Sequence, residues 1–171
     1  MQLKQAAMPA KKARKLGKSL GAAAAAAEQE RLQYGALPWR WGEDGLEIML
    51  VSSRDTRRWI IPKGWPMAGR SGMAAAAIEA MEEAGLLGVI SEEPIGHFHY
   101  AKRLSRRVDL CRVEVFALRV VRQRHHWPEK HERVTRWYPV AKAIERVSDP
   151  ELRDLIASFA RTIDANAFVQ A

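Results

Sequence analysis

The chain has a single cysteine, Cys111, among its 171 residues. An internal disulfide and a multi-cysteine metal site are therefore excluded, and a reducing compartment, the cytoplasm, is the default expectation. Cys111 falls in an apolar stretch and reads as a core thiol. Acids are missing altogether from residues 1–27, MQLKQAAMPAKKARKLGKSLGAAAAAA, which hold Lys4, Lys11, Lys12, Arg14, Lys15 and Lys18. Subtracting these six cations from the formal charge of +8 leaves +2, so the basicity belongs mainly to this arm. A flexible or partly helical tail is its first reading, ahead of an electrostatic tether to nucleic acid. A long apolar run is lacking too. Gly21 to Ala27 is too short and too weakly apolar to cross a membrane, and it has no bulky signal-peptide core. No membrane partner is expected. With Arg14 and Ser19 as its lone arginine and serine, the arm is also poor in what an organellar transit peptide favours.

What remains, residues 28–171, is long enough for one domain, and 47% apolar content is ordinary for a globular chain. Residues 33–41 and 46–53 read as two strands joined through Gly42-Glu43-Asp44-Gly45. Residues 88–102 and 108–122 are strand-rich, with Leu104-Ser105-Arg106-Arg107 as the turn between them. The run from Val115 to Val121 is almost continuously apolar, as a central strand covered by helices would be. After Val140 to Val147, Asp149 and Pro150 open a helix on which Leu152, Leu155, Ile156, Phe159, Ala160 and Ile163 keep the rhythm of a core-facing stripe. Composition and periodicity alone give an α+β or α/β domain.

The chemistry concentrates in GWPMAGRSGMAAAAIEAMEEAGL, Gly64 to Leu86. Ser71 can cap a helix there and Gly85 can end it. Glu79, Glu82 and Glu83 stand at i, i+3 and i+4, so they share one face. Met73, Ala74, Ala77, Met81 and Ala84 are expected on the opposite, core-facing side. Like charges at that spacing repel by roughly 0.2–0.5 kcal/mol per pair, and no Lys or Arg on the helix relieves them. The counter-charge must come from elsewhere. Hard carboxylate oxygens beside a glycine turn and Lys63 suit Mg²⁺ shared with substrate phosphates.

These residues resemble the Nudix box, which reads Gly, five residues, Glu, seven residues, Arg-Glu, an apolar residue, one residue, Glu-Glu, one residue, Gly, an apolar residue. Gly64, Glu79, Ala80, Glu82, Glu83, Gly85 and Leu86 match in register. Arg70 replaces the first Glu, and Ile78 replaces the Arg that in the family helps orient the catalytic carboxylates. The resemblance implies an α/β/α sandwich with a mixed sheet, from about Tyr34 to the final helix. It implies Mg²⁺, with Mn²⁺ as a substitute, held on Glu79, Glu82 and Glu83, and hydrolysis of a phosphoanhydride by water.

Ser52-Ser53-Arg54 is similar to a Ser-Ser-Arg that contacts phosphate in the diphosphoinositol polyphosphate branch of the family. Arg133, four residues before Trp137, resembles that branch's Arg-x-x-x-Trp-Phe. Ser52, Ser53, Arg54, Lys63, Gly64 and Arg133 are thus the expected substrate-binding set. The substrate is expected to be a phosphate-dense small molecule, a diadenosine or diphosphoinositol polyphosphate. Glu129 and Glu132 are candidates for a further carboxylate that many members draw from a later loop. Arg57 and Arg58 are read as a solvated loop, and Lys102, Arg103, Arg106 and Arg107 as an exposed hairpin tip ahead of a basic cluster that meets a polyanionic substrate. His125, His126 and His131 match no familiar zinc spacing. The opposing hypothesis, permitted by Arg70 and Ile78, is a Nudix-fold module that binds nucleotide or RNA without turnover.

Overall fold

The computed structural model describes residues 30–104 and 107–169, so the basic arm and the Ser105-Arg106 pair of the predicted turn lie outside the described residues. Among the described residues eight strands form one mixed sheet. They are β1 (Arg31–Gly42), β2 (Gly45–Ser52), β3 (Trp59–Ile60), β4 (Lys63–Gly64), β5 (Leu86–Ile90), β6 (Gly96–Arg103), β7 (Val108–Gln123) and β8 (Thr135–Pro139). Helix α1 (Gly72–Ala84) lies between β4 and β5, and α2 (Val140–Arg146) and α3 (Pro150–Val169) close the chain.

β1 and β7 run parallel at the centre, from Arg31 opposite Cys111 to Trp39 opposite Arg119, and every other pairing is antiparallel. β1 pairs with β4 through Tyr34 and Gly35 and with β2 from Trp39 onward. Pro38, which has no N–H to donate, sits where the partner changes. β7 likewise takes β6 along its first half and β5 along its second.

Strand alternation sorts the core into two layers. Leu37, Ile48, Leu50, Val113 and Val115 face Ala143 of α2 and Leu152, Ile156 and Phe159 of α3. Ala36, Met49, Val51, Phe116 and Leu118 face Ala76, Ala80 and Ala84 of α1. The result is the expected α/β/α sandwich. The predicted central strand is buried only as far as Leu118, however, and Val121 is 70% exposed. β7 outruns β1, whose register ends at Trp39, and its last residues lose cover on that edge. Among the described residues no helix is long and apolar enough to cross a membrane.

Candidate active site

α1 begins as its sequence demands, with the Ser71 hydroxyl accepting from the Ala74 N–H at 3.3 Å, and it ends on Gly85 at φ 69°. Its rotation differs from the expectation. The buried side carries Ala75, Ala76, Ala80, Glu83 and Ala84; Ala84 and the partly buried Met73 meet the core as expected, whereas Ala74, Ala77 and Met81 do not join it. Ala74 to Ala77 put methyl groups on every side of the helix, so the apolar rhythm leaves the rotation open and packing on β1, β5 and β7 sets it. The acids consequently border the core instead of facing away from it.

Gly64 in β4 gives Glu79 its place. A Cβ at position 64 would stand 1.8 Å from Glu79 Oε1, so only a glycine lets the carboxylate lie against that strand. Burial pushes the Glu79 carboxyl above its ordinary range, and the neighbouring charge of Glu82 adds to the shift.

Glu83 is deeper, with a side chain 5% exposed, and it meets Arg133, 7% exposed, at 2.6 Å between Oε1 and Nη2. The same guanidinium donates from Nε to Glu129 at 2.6 Å and from Nη1 to the Ser52 carbonyl at 3.1 Å. Burial drives the Glu83 carboxyl up to about 8, while Arg133 and Lys63 pull it down. The reading that a divalent cation is the missing counter-charge is amended accordingly, because the protein supplies part of that charge from a residue fifty positions along the chain.

The loop between β7 and β8 reaches Arg133 by docking on the end of α1, where helix carbonyls need donors. Gln123 Nε2 donates to Ala84 O at 3.0 Å, the Arg124 N–H to Gly85 O at 2.8 Å and the Glu129 N–H to Glu82 O at 3.0 Å. Trp127 packs where a Gly85 side chain would otherwise go, 2.6 Å from an ideal Cβ.

The three glutamates, Glu129 and Arg133 line one cleft of about 700 Å³, together with Ser53, Arg54, Lys63 and Gly64. Ser52 does not reach it. That residue is 3% exposed, and its hydroxyl accepts from the Val134 N–H at 2.9 Å. Lys63 donates to the Tyr100 hydroxyl at 3.1 Å, which donates to Gln33 Oε1 at 2.7 Å. Burial lowers the Lys63 pKa, with Glu83 opposing and Lys102 reinforcing the shift.

Arg54 pairs with Glu132 at 3.2 Å at a largely exposed site, and this hydrogen bond raises its pKa. Arg58, Lys102 and Arg103 also line the cleft; Arg58 does so from an exposed loop and Arg103 from the exposed end of the β6–β7 hairpin, as read, while Lys102 is half-buried. Gln33, Trp65 and Tyr100 join it as well, and the sequence offered no signal for them. Lys102 lies 4.8 Å from the Trp65 ring centre, carried there by the β6–β7 hairpin that the sequence outlines.

Whether these residues suit a divalent cation can be judged from Glu83 itself. Its Oε2 is buried and has no hydrogen-bond partner, an arrangement that costs free energy unless something else meets it. An all-carboxylate donor set fits Mg²⁺ or Mn²⁺. Among the described residues no three acidic, histidine or cysteine side chains converge as a ready-made cage. Mg²⁺ does not need one, since it keeps waters and shares substrate phosphates. The residues fit the ion.

The site is a glutamate-bearing helix ended by glycine, packed on a mixed sheet beside a cleft lined by several cations. Comparison with known proteins places it. The chain is 30% identical over 126 residues to Nudix hydrolase 17, mitochondrial, of Arabidopsis thaliana, covering 70% of this chain and 68% of that protein. It is 31% identical over 123 residues to Nudix hydrolase 12, mitochondrial, of the same plant, but spans only 61% of that relative's length. A Caenorhabditis elegans Ap4A hydrolase structure matches with a TM-score of 0.58 at 19% identity, covering 79% of this chain and 99% of that one, which speaks to the fold. No family model matches the chain. The chain belongs to the Nudix hydrolase family.

Proposed function

We propose that the chain hydrolyses a phosphoanhydride bond in a phosphate-dense small molecule, a dinucleoside polyphosphate or a diphosphoinositol polyphosphate, with Mg²⁺ or Mn²⁺. The observation that carries this reading is the cleft, where Glu79, Glu82 and Glu83 lie among cations from three separate segments. Arg54 and Arg58 come from the loop after β2, Lys63 from β4, and Lys102 and Arg103 from β6. A single phosphate would use one such segment, whereas a chain of phosphates can use several.

Glu79, Glu82 and the free Oε2 of Glu83 are the oxygens that would hold the ion. Once bound, it would neutralise phosphate charge and acidify a water. Lys63 is held in place by Tyr100 and presents its ammonium to the phosphates. Arg54 can leave Glu132 for a phosphate at little cost, because an exposed ion pair of this kind is worth about 0–1 kcal/mol. Glu129 lines the cleft and Glu132 does not, which favours Glu129 as the acceptor of the proton released by the attacking water. The relation to an Ap4A hydrolase fold makes diadenosine tetraphosphate the first substrate to try. The reading includes a reducing compartment such as the cytoplasm, supported by the single buried thiol of Cys111.

The test is a phosphate-release screen with Mg²⁺ over dinucleoside polyphosphates, diphosphoinositols and nucleotide sugars, run beside Glu82→Gln. Release from one of the first two classes that disappears in the variant is expected. Equal signals from wild type and variant would leave a binding module in place of an enzyme.

A further inference from the structure

Arg133 carries the most unusual bonding in the cleft. A phosphate-binding arginine offers an exposed fork of N–H donors. Arg133 is 7% exposed, and each of its three guanidinium nitrogens already donates to the protein. The acceptors come from three segments: Glu83 on α1, Glu129 on the β7–β8 loop and the Ser52 carbonyl at the end of β2. The backbone on both sides is fixed. Val134 exchanges hydrogen bonds with Ser52, and the Glu129 N–H is tied to Glu82 O.

The grip on Glu83 is one-sided. Nη2 holds Oε1, and Oε2 is left as the unpartnered oxygen of a residue on the cleft wall. Helix α1 has no cation of its own to do this, since position 78 is isoleucine and no Lys or Arg lies within Gly72–Ala84.

We propose that Arg133 is a positioning residue that fixes the Glu83 and Glu129 carboxylates relative to each other and leaves Glu83 Oε2 for a ligand in the cleft, and that it does not contact substrate phosphate. The proposal rests on the hydrolase reading above. Its consequence for Arg133→Lys is distinctive, because a lysine keeps the charge but one ammonium cannot span three acceptors in fixed directions.

With diadenosine tetraphosphate and Mg²⁺, Arg133→Lys is expected to lower kcat by about tenfold or more while KM stays within about twofold, the pattern of a displaced reacting group rather than a lost substrate contact. A second readout uses no metal or substrate. In urea unfolding of the metal-free protein, the loss of midpoint caused by Arg133→Lys should shrink markedly when Glu83→Gln is already present, because the two side chains share one interaction. Arg133→Gln repeats both measurements if the lysine variant does not fold. A tenfold rise in KM with unchanged kcat would make Arg133 a phosphate contact and overturn the proposal, as would additive midpoint losses. A wild type that turns over none of the substrates would refute the hydrolase reading, and the unfolding cycle would still decide whether Arg133 holds Glu83.

Discussion

Gly64→Ala tests how closely the site depends on its glycine. A methyl group at this position would lie 1.8 Å from Glu79 Oε1, 2.1 Å from Cδ and 2.7 Å from Oε2. Ordinary contact begins near 3.4 Å, so the carboxylate must retreat by about 1.6 Å, and it can, being the far end of a flexible side chain. The fold should lose about 1 kcal/mol, the lower end of the usual cost of overpacking, or roughly 2–4 °C in Tm for a chain of this size. Turnover should fall much further. A misplacement of 1 Å at a reacting centre costs about 10²-fold, equivalent to about 2.7 kcal/mol of barrier. Initial rates of Mg²⁺-dependent phosphate release from diadenosine tetraphosphate give kcat, and thermal unfolding gives Tm. Gly42→Ala is the control, because a Cβ there meets Glu47 Oε2 at 2.8 Å, again a flexible carboxylate, but in the β1–β2 hairpin away from the cleft. Its Tm should fall similarly and its kcat should not change. If Gly64→Ala keeps kcat within about threefold of wild type, or both variants lose activity equally, the placement of Glu79 by Gly64 is not what the chemistry requires.

Glu82→Gln should lower kcat by about 10²-fold and leave Tm nearly unchanged, because this side chain is only half-buried and substitutions outside the core usually shift stability within about 0.5 kcal/mol. The Lys63 ammonium, its pKa lowered chiefly by burial, should lose its charge at a lower pH than the 10.5 of a free lysine. KM for a polyphosphate should then climb with pH before that value is reached. Lys63→Met should start from a high KM and show no such climb, and a wild-type profile that stays flat across the alkaline range would contradict the assignment. Trp127→Ala should loosen the loop from the end of α1 and lower kcat by about tenfold with the sheet intact. Faster hydrogen exchange at the Glu129 amide, now bonded to Glu82 O at 3.0 Å, is the measurement that checks it.

Local interactions made much of this molecule readable from its sequence. Ser71 and Gly85 bound α1 because capping involves residues three or four apart, and the stripe on α3 packs as its rhythm requires. The three glutamates announced themselves by spacing. What escaped depends on residues that meet across long loops. Arg133 reaches Glu83 only after β8 has paired with β2. The rotation of α1 was hidden for another reason. Four consecutive alanines look equally apolar from every side, so only the sheet beneath could choose which of them to bury.

The loop that clamps the end of α1 has a consequence for synthesis. A nascent chain that has emerged through Arg124 already holds every residue of the glutamate motif, yet it still lacks Glu129 and Arg133, which complete the site. Such a half-made protein would meet cellular nucleotides with its acids unaligned. On the proposed hydrolase reading, a chain stalled on the ribosome or clipped after β7 would lack the arginine that grips Glu83 and would spare the polyphosphates around it.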